Sequence, residues 1–200
     1  MALIDEILAL EWEQFRAVEN EDGPAPCQQD PAAFDIMRRS QLMTWPKPLL
    51  QSYRQDLLCA KAEGRNLMTE KYARMMESTA PESYAALAEA LPVLSESHQK
   101  LVELVIVPQI RWMEQYVEKY PKLAAGNRRI YTSEDSLYET SYETYLRGEL
   151  STYSDKTLGL YQAFIRELLN SGRNLMLEVM ENTVRFYGFS SLAHAESFEQ

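Results

Sequence analysis

The string Gly-Arg-Asn-Leu-Met occurs twice in this chain, at 64–68 and 172–176, and a glutamate follows two residues later in both places (Glu70, Glu178). The offset is 108 residues, and it aligns 34–79 with 142–187 without a gap. Arg39/Arg147, Leu42/Leu150, Thr44/Thr152, Leu50/Leu158 and Tyr53/Tyr161 are identical pairs, and Phe34/Tyr142, Asp35/Glu143, Gln41/Glu149 and Trp45/Tyr153 are similar ones. Upstream, Glu13-Gln14-Phe15 resembles Glu114-Gln115-Tyr116 at an offset of 101, so the second copy has a loop seven residues longer. The pattern predicts two copies of one unit, at about 2–79 and 97–187, with a connector at 80–96. Copies of this kind usually pack about a pseudo-two-fold axis, as the subunits of a dimer do.

The periodicity is helical almost throughout. Leu3, Ile7, Leu10 and Phe15 share one face of a first helix over about 2–19. After a turn-rich loop at 20–30, Asp30-Pro31 reads as an N-cap with proline at the first position of a helix reaching about Met43. Pro46 and Pro48 open a third segment, which reaches Gly64 and could continue to Thr79. A short helix is expected after Thr79-Ala-Pro81-Glu82, with Thr79 in the capping position. Ser95 caps a long helix over 96–119, residues 121–135 read as loop, and a helix follows near 138–150. Ser154-Asp155 opens another long segment to about Tyr187, and a short helix covers 190–198. No stretch alternates as a strand should. The fold class expected is therefore all-α: a single domain, 1–200, built as a helical bundle of two tandem pseudo-symmetric repeats.

Gly64 and Gly172 need a physical reason, because a mid-helix glycine costs about 1 kcal/mol relative to alanine. A helix end with the glycine just beyond it is one reason. A close crossing of two helices is the other, and it is favoured by the eleven-residue spacing from Tyr53, about three helical turns. The retained polar residues are Arg39, Arg65, Asn66 and Glu70, with counterparts Arg147, Arg173, Asn174 and Glu178. Meeting near a pseudo-dyad, they would form a polar pocket. The arginine forks would hold a carboxylate or phosphate, and Glu70 or Glu178 would bind an amine or move a proton. The same residues could instead be Arg–Glu pairs that lock the two halves together.

Composition narrows the chemistry. Against 20 Lys and Arg stand 30 Asp and Glu, a net charge of −10. That balance disfavours nucleic acid and anionic membrane surfaces as partners. The most apolar run, Leu101–Ile110, is broken by Glu103 and Pro108 and falls short of a membrane span. The first residues are acidic where an export signal would be basic, and two cysteines make no disulfide framework, so the cytoplasm is the expected location. His98 and His194 lack the Glu-x-x-His spacing of a di-iron bundle. A carboxylate-only set of Glu13, Glu70, Glu114 and Glu178 is too weak a pattern to assign a metal. His98 reads as a first-turn surface residue and Cys59 as core. Cys27 lies in a Pro-rich loop and would need a basic neighbour to be reactive. Phosphate-loop, dinucleotide, nucleophile-elbow and zinc-protease motifs are absent, and no cofactor can be named. The tyrosine-rich stretch around Tyr131–Tyr161 could line a pocket, although interfacial packing accounts for it as well.

Three longer motifs carry a resemblance. They are Met37-Arg38-Arg39-Ser40-Gln41, Gly64-Arg65-Asn66-Leu67 with Glu70–Glu77, and Glu143–Leu150 with Thr152-Tyr153-Ser154. They resemble the bacterial "domain of unknown function 4125" family over nearly the whole chain. The resemblance implies a helical protein and no particular activity or site. The residues leave two readings: a small-molecule binder or enzyme with a polar site between the repeats, and a helical adaptor whose repeated Arg, Asn and Glu residues are a structural lock. A second copy of the chain or another protein is a partner either reading allows.

Overall fold

In the computed structural model, residues 2–19, 23 and 25–198 are described. The expected loop at 20–30 falls in part, at 20–22 and 24, outside them. Among the described residues there are eleven α-helices and no strand, as the periodicity requires. They are α1 (Ala2–Arg16), α2 (Pro31–Leu42), α3 (Lys47–Ala62), α4 (Leu67–Thr79), α5 (Pro81–Leu87), α6 (Glu96–Lys119), α7 (Pro121–Ala124), α8 (Tyr142–Leu150), α9 (Asp155–Asn170), α10 (Leu175–Phe186) and α11 (Leu192–Phe198).

The ends are set by local chemistry. Asp30 caps α2 through the Ala33 amide, Ser95 caps α6 through His98, and Ser154 caps α9 through Thr157. Ser141 caps α8 through Thr144, so that helix begins at 142 rather than 138. Thr79 does not cap the short helix. It lies in the last turn of α4, and α5 starts with Pro81 at its first position and no side-chain cap.

The chain turns at both repeated glycines, where a close helix crossing was expected. Gly64 has φ +71° and Gly172 φ +66°, a left-handed conformation that glycine adopts without steric penalty. The Arg65 amide reaches back to the Ala60 carbonyl at 2.8 Å, and the Arg173 amide to Leu168 at 2.9 Å. These bonds close the helix ends in the Schellman manner. Asn66 and Asn174 then cap the next helices: Asn66 accepts from the Met68 and Thr69 amides, and Asn174 from Leu177. The close crossing lies instead at Gly148, where an added Cβ would stand 2.9 Å from the Lys71 carbonyl oxygen. The residue 108 positions earlier is Ser40, fully buried, whose carbonyl accepts from the Asn182 side chain of α10.

Helices at matching positions make matching contacts. α4 packs on α8 and α10 on α2; α1 packs on α3 and α6 on α9; α3 and α9 cross at the centre. The main core is therefore shared between the two halves, running from Ile7 and Leu8 through Leu42, Leu49 and Leu57 to Leu150, Leu158 and Leu168. At its middle Trp45, Tyr53, Tyr153 and Tyr161 pack ring against ring, with centroids 5.2–6.2 Å apart. A smaller cluster of Met113, Tyr116, Val184, Leu192 and Ala195 seats α11. No helix among the described residues is long and apolar enough to cross a membrane.

Candidate functional site

Four helices, α2, α4, α8 and α10, come together between the halves around a cavity of about 420 Å³. Phe34, Met68, Tyr72, Tyr142, Tyr145, Trp112, Met176 and Met180 supply most of its wall. Cys27, Asn127 and Arg128 are exposed and stand at its rim. Rings and thioethers make an apolar, adaptable lining, and the volume falls in the range of small-molecule sites.

One wall is ionic. Arg38 of α2 donates through Nε to Glu11 at 3.0 Å, and through Nη1 to Gln41 at 2.7 Å and Glu149 at 3.1 Å. Lys71 of α4 donates to the other Glu149 oxygen at 2.7 Å and sits 3.4 Å from the Tyr145 ring centroid. Tyr53 donates to Glu11 at 2.6 Å and Tyr153 to Glu149 at 2.9 Å. Glu11 is 0% exposed, Arg38 7%, Glu149 5% and Lys71 3%. Beside them Tyr161 donates to Gln109 at 2.8 Å. Helix geometry explains the convergence. Glu11 lies between Ile7 and Phe15, and Arg38 precedes Leu42 and Trp45, each at three- or four-residue spacing, so each charge lies on its helix's apolar face.

The electrostatics follow from burial and pairing. Burial by itself would raise the Glu149 carboxyl, but the Arg38 and Lys71 cations bring it well below the usual carboxylate range. Burial disfavours the Arg38 cation, yet Glu11 and Glu149 overcome this and raise its pKa. Burial also raises the Tyr53, Tyr153 and Tyr142 phenols, the first two further by the carboxylates they bond. At neutral pH the wall therefore holds ionised Glu149, a charged Arg38 and protonated phenols.

The residues singled out by repetition stand elsewhere. Arg65 clasps Glu70 with two bonds of 2.8 and 2.9 Å, and Arg173 clasps Glu178 with two of 2.7 Å. Each pair bridges the turn into its own helix. Asn66 and Asn174, besides capping, bond across to α1 and α6: Asn66 donates to the Gln14 carbonyl at 2.8 Å, and Asn174 to the Gln115 side chain at 2.8 Å. Arg39 pairs with Asp5 and Asp35, and Arg147 with Glu103 and Glu143. The four arginines share no partner, so the structure does not gather these eight residues into one pocket. Arg147 lines a second concavity, of about 1030 Å³, between α4, α6 and α8. Its charges are exposed or half-buried, whereas Arg38, Lys71 and Glu149 of the central cavity are buried and networked.

Other expectations resolve similarly. Glu13 pairs with Lys61, and Glu114 accepts from Tyr131, so these carboxylates stand on separate partners from the two clasped by arginine. No cluster of three or more potential metal ligands occurs among the described residues. His98 is in the first turn of α6 but buried, not on the surface, because its ring packs inward to meet Asp155 at 2.8 Å. Cys59 is exposed, not core, on the outer face of α3. Of the clustered tyrosines, Tyr142, Tyr145 and Tyr161 line the cavity, and Tyr138 is exposed.

Repetition missed Glu11, Arg38, Lys71 and Glu149 because three of the four match unlike residues in the other copy. At the 108-residue offset Arg38 faces Leu146 and Lys71 faces Val179, and at the 101-residue offset Glu11 faces Trp112, whereas Glu149 faces the similar Gln41. The signal available was a charged residue on an otherwise apolar helical face, repeated at one position per helix.

The fold and this cavity define an all-α protein with a buried ionic cluster opening on an aromatic- and methionine-lined chamber. Residues 1–197 match the family described as "Protein of unknown function (DUF4125)", and the chain belongs to that family. No curated protein and no solved structure matches it.

Proposed function

We propose that this protein binds a small organic molecule in the chamber between its two halves, which are descended from one duplicated helical unit. The observation that carries the reading is the fully buried Glu11–Arg38–Glu149–Lys71 chain that opens onto a cavity of about 420 Å³. Buried ion pairs seldom stabilise a fold more than apolar residues of the same volume would. Their presence on the wall of a chamber fits a binding role better than a packing role. The repeated residues support the second half of the reading: both glutamates have their oxygens held by an arginine fork, which suits helix-end clamps and not proton transfer. Catalytic duty for Glu70 or Glu178 is accordingly not part of the proposal. The two unpaired cysteines suit a reducing, cytoplasmic setting.

The test is occupancy of the chamber. Thermal unfolding is measured with a panel of small aromatic compounds, for the native protein and for Met176→Trp, which fills the chamber. A ligand at a hundred times its Kd stabilises by about 2.7 kcal/mol, an easily read shift. Stabilisation of the native protein that Met176→Trp abolishes is expected. Equal shifts in both proteins would overturn the assignment of the site.

A further inference from the structure

The polar groups on the chamber wall differ in how fully they are used. Arg38 is spent: its donors go to Glu11, Gln41 and Glu149. Glu149 is spent too, accepting from Arg38, Tyr153 and Lys71. Lys71 is not. An ammonium has three protons; one goes to Glu149, and Tyr145 offers only a ring face. Arg128, at the rim, donates a single bond to the Thr140 carbonyl and lies 5.0 Å from the same Tyr145 ring. The Tyr72 and Tyr142 hydroxyls bond no acceptor among the described residues, and burial raises both phenols, so they keep their protons. The unused capacity of the wall's charged groups is thus donor capacity, and the two phenols can donate as well as accept.

Charge points the same way. Three cations, Arg38, Lys71 and Arg128, line the chamber against one carboxylate, Glu149. Glu11 behind the wall neutralises Arg38 and Lys71 neutralises Glu149, which leaves one positive charge, that of Arg128. This local excess stands within a chain of net charge −10.

We infer that the ligand of this chamber is an organic monoanion, a carboxylate on a flat apolar body. Its charged end lies between Lys71 Nζ and the Arg128 guanidinium, and its body lies among Phe34, Met68, Met176 and Met180. This rests on the chamber being a ligand site and adds the sign and position of the ligand's charge. An amine-bearing ligand is disfavoured because the one carboxylate in reach already has its cations. The anion completes the half-used donors of Lys71 without breaking the pair that holds α4 to α8.

The experiment compares three probes of similar length by calorimetry: phenylpropanoate, phenylpropanamide and phenylpropylamine. The carboxylate is expected to bind the native protein at least about tenfold more tightly than the amide, as charge-assisted hydrogen bonds require. The amine is expected to bind weakest. Lys71→Met and Arg128→Met should each erase most of the preference for carboxylate over amide. Arg128 is exposed, so its variant tests the inference even if Lys71→Met does not fold. Amide or amine binding as tight as carboxylate, or an unchanged preference in Arg128→Met, overturns the anion inference and leaves the chamber as a site. Binding of none of the three overturns both.

Discussion

Replacing Arg38 by methionine keeps an apolar stem of similar length and removes only the guanidinium. The fully buried Glu11 then retains a single partner, the Tyr53 hydroxyl. Glu149 retains Lys71 and Tyr153. Leaving one charge of a buried pair uncompensated costs about 3–5 kcal/mol. A domain of this size shifts by about 2–4 °C per kcal/mol, so the midpoint should fall by roughly 6–20 °C. The pH dependence makes the test sharper. In the native protein Glu149 is depressed below its ordinary 4.5. Its contribution is therefore fully present above that value and is lost as pH falls through the folded one. In Arg38→Met, Glu149 has lost one of the two cations that depress it and keeps only Lys71, so this contribution shrinks. As pH falls from 7 to about 3 the native protein therefore has more of this contribution to lose than the variant, and the stability gap between them should narrow. Circular dichroism during urea and thermal unfolding at both pH values reads this directly. Glu11→Gln combined with Arg38→Met should be more stable at pH 7 than Arg38→Met alone. A loss below about 1 kcal/mol, or a gap that does not narrow on acidification, would refute the picture of a buried network satisfied by Arg38.

Two further expectations concern the turns and the crossing. Gly64→Ala and Gly172→Ala should each cost about 1–2 kcal/mol, because both sites are left-handed. Gly148→Ala should also destabilise, by about 1–3 kcal/mol through overpacking, because the new methyl meets the Lys71 carbonyl oxygen; a neutral result there would show that α8 can move off α4. Asn66→Ala and Asn174→Ala each remove a cap, worth about 1 kcal/mol, plus a bond to the neighbouring long helix. Urea midpoints for the two should drop by similar amounts, and a loss in only one would mean that the matched turns are not energetically equivalent.

Much of the helix plan could be read directly. The long helix after Ser95 runs over 96–119 as its cap and period require. The turn at Gly64 was the harder case, since the apolar period from Tyr53 passes through it. The competing signal was Asn66, a strong capping residue two positions on. The identity of Arg65, Asn66 and Glu70 with Arg173, Asn174 and Glu178 drew attention to a pocket. In the structure that identity marks equivalent helix ends, each closed by the same glycine, asparagine and arginine–glutamate clasp. Residues shared by the two matched segments therefore do what each segment needs locally. The chamber lies where the two segments meet, and there one asymmetric network needs different side chains from each.

The amino-acid order alone determined the helical class, the caps at Asp30, Ser95 and Ser154 and the matched segments, because these depend on neighbours within a few residues and on a simple period. Only the tertiary structure decided which charges meet. Glu11, Arg38, Lys71 and Glu149 lie on four helices and are separated by up to 138 residues from first to last, and each reads locally as a lone polar residue on an apolar face. Their pairing follows from the docking of α1 on α2 and α4 on α8. That docking is a property of whole helix faces packing together, so no local pattern contains it.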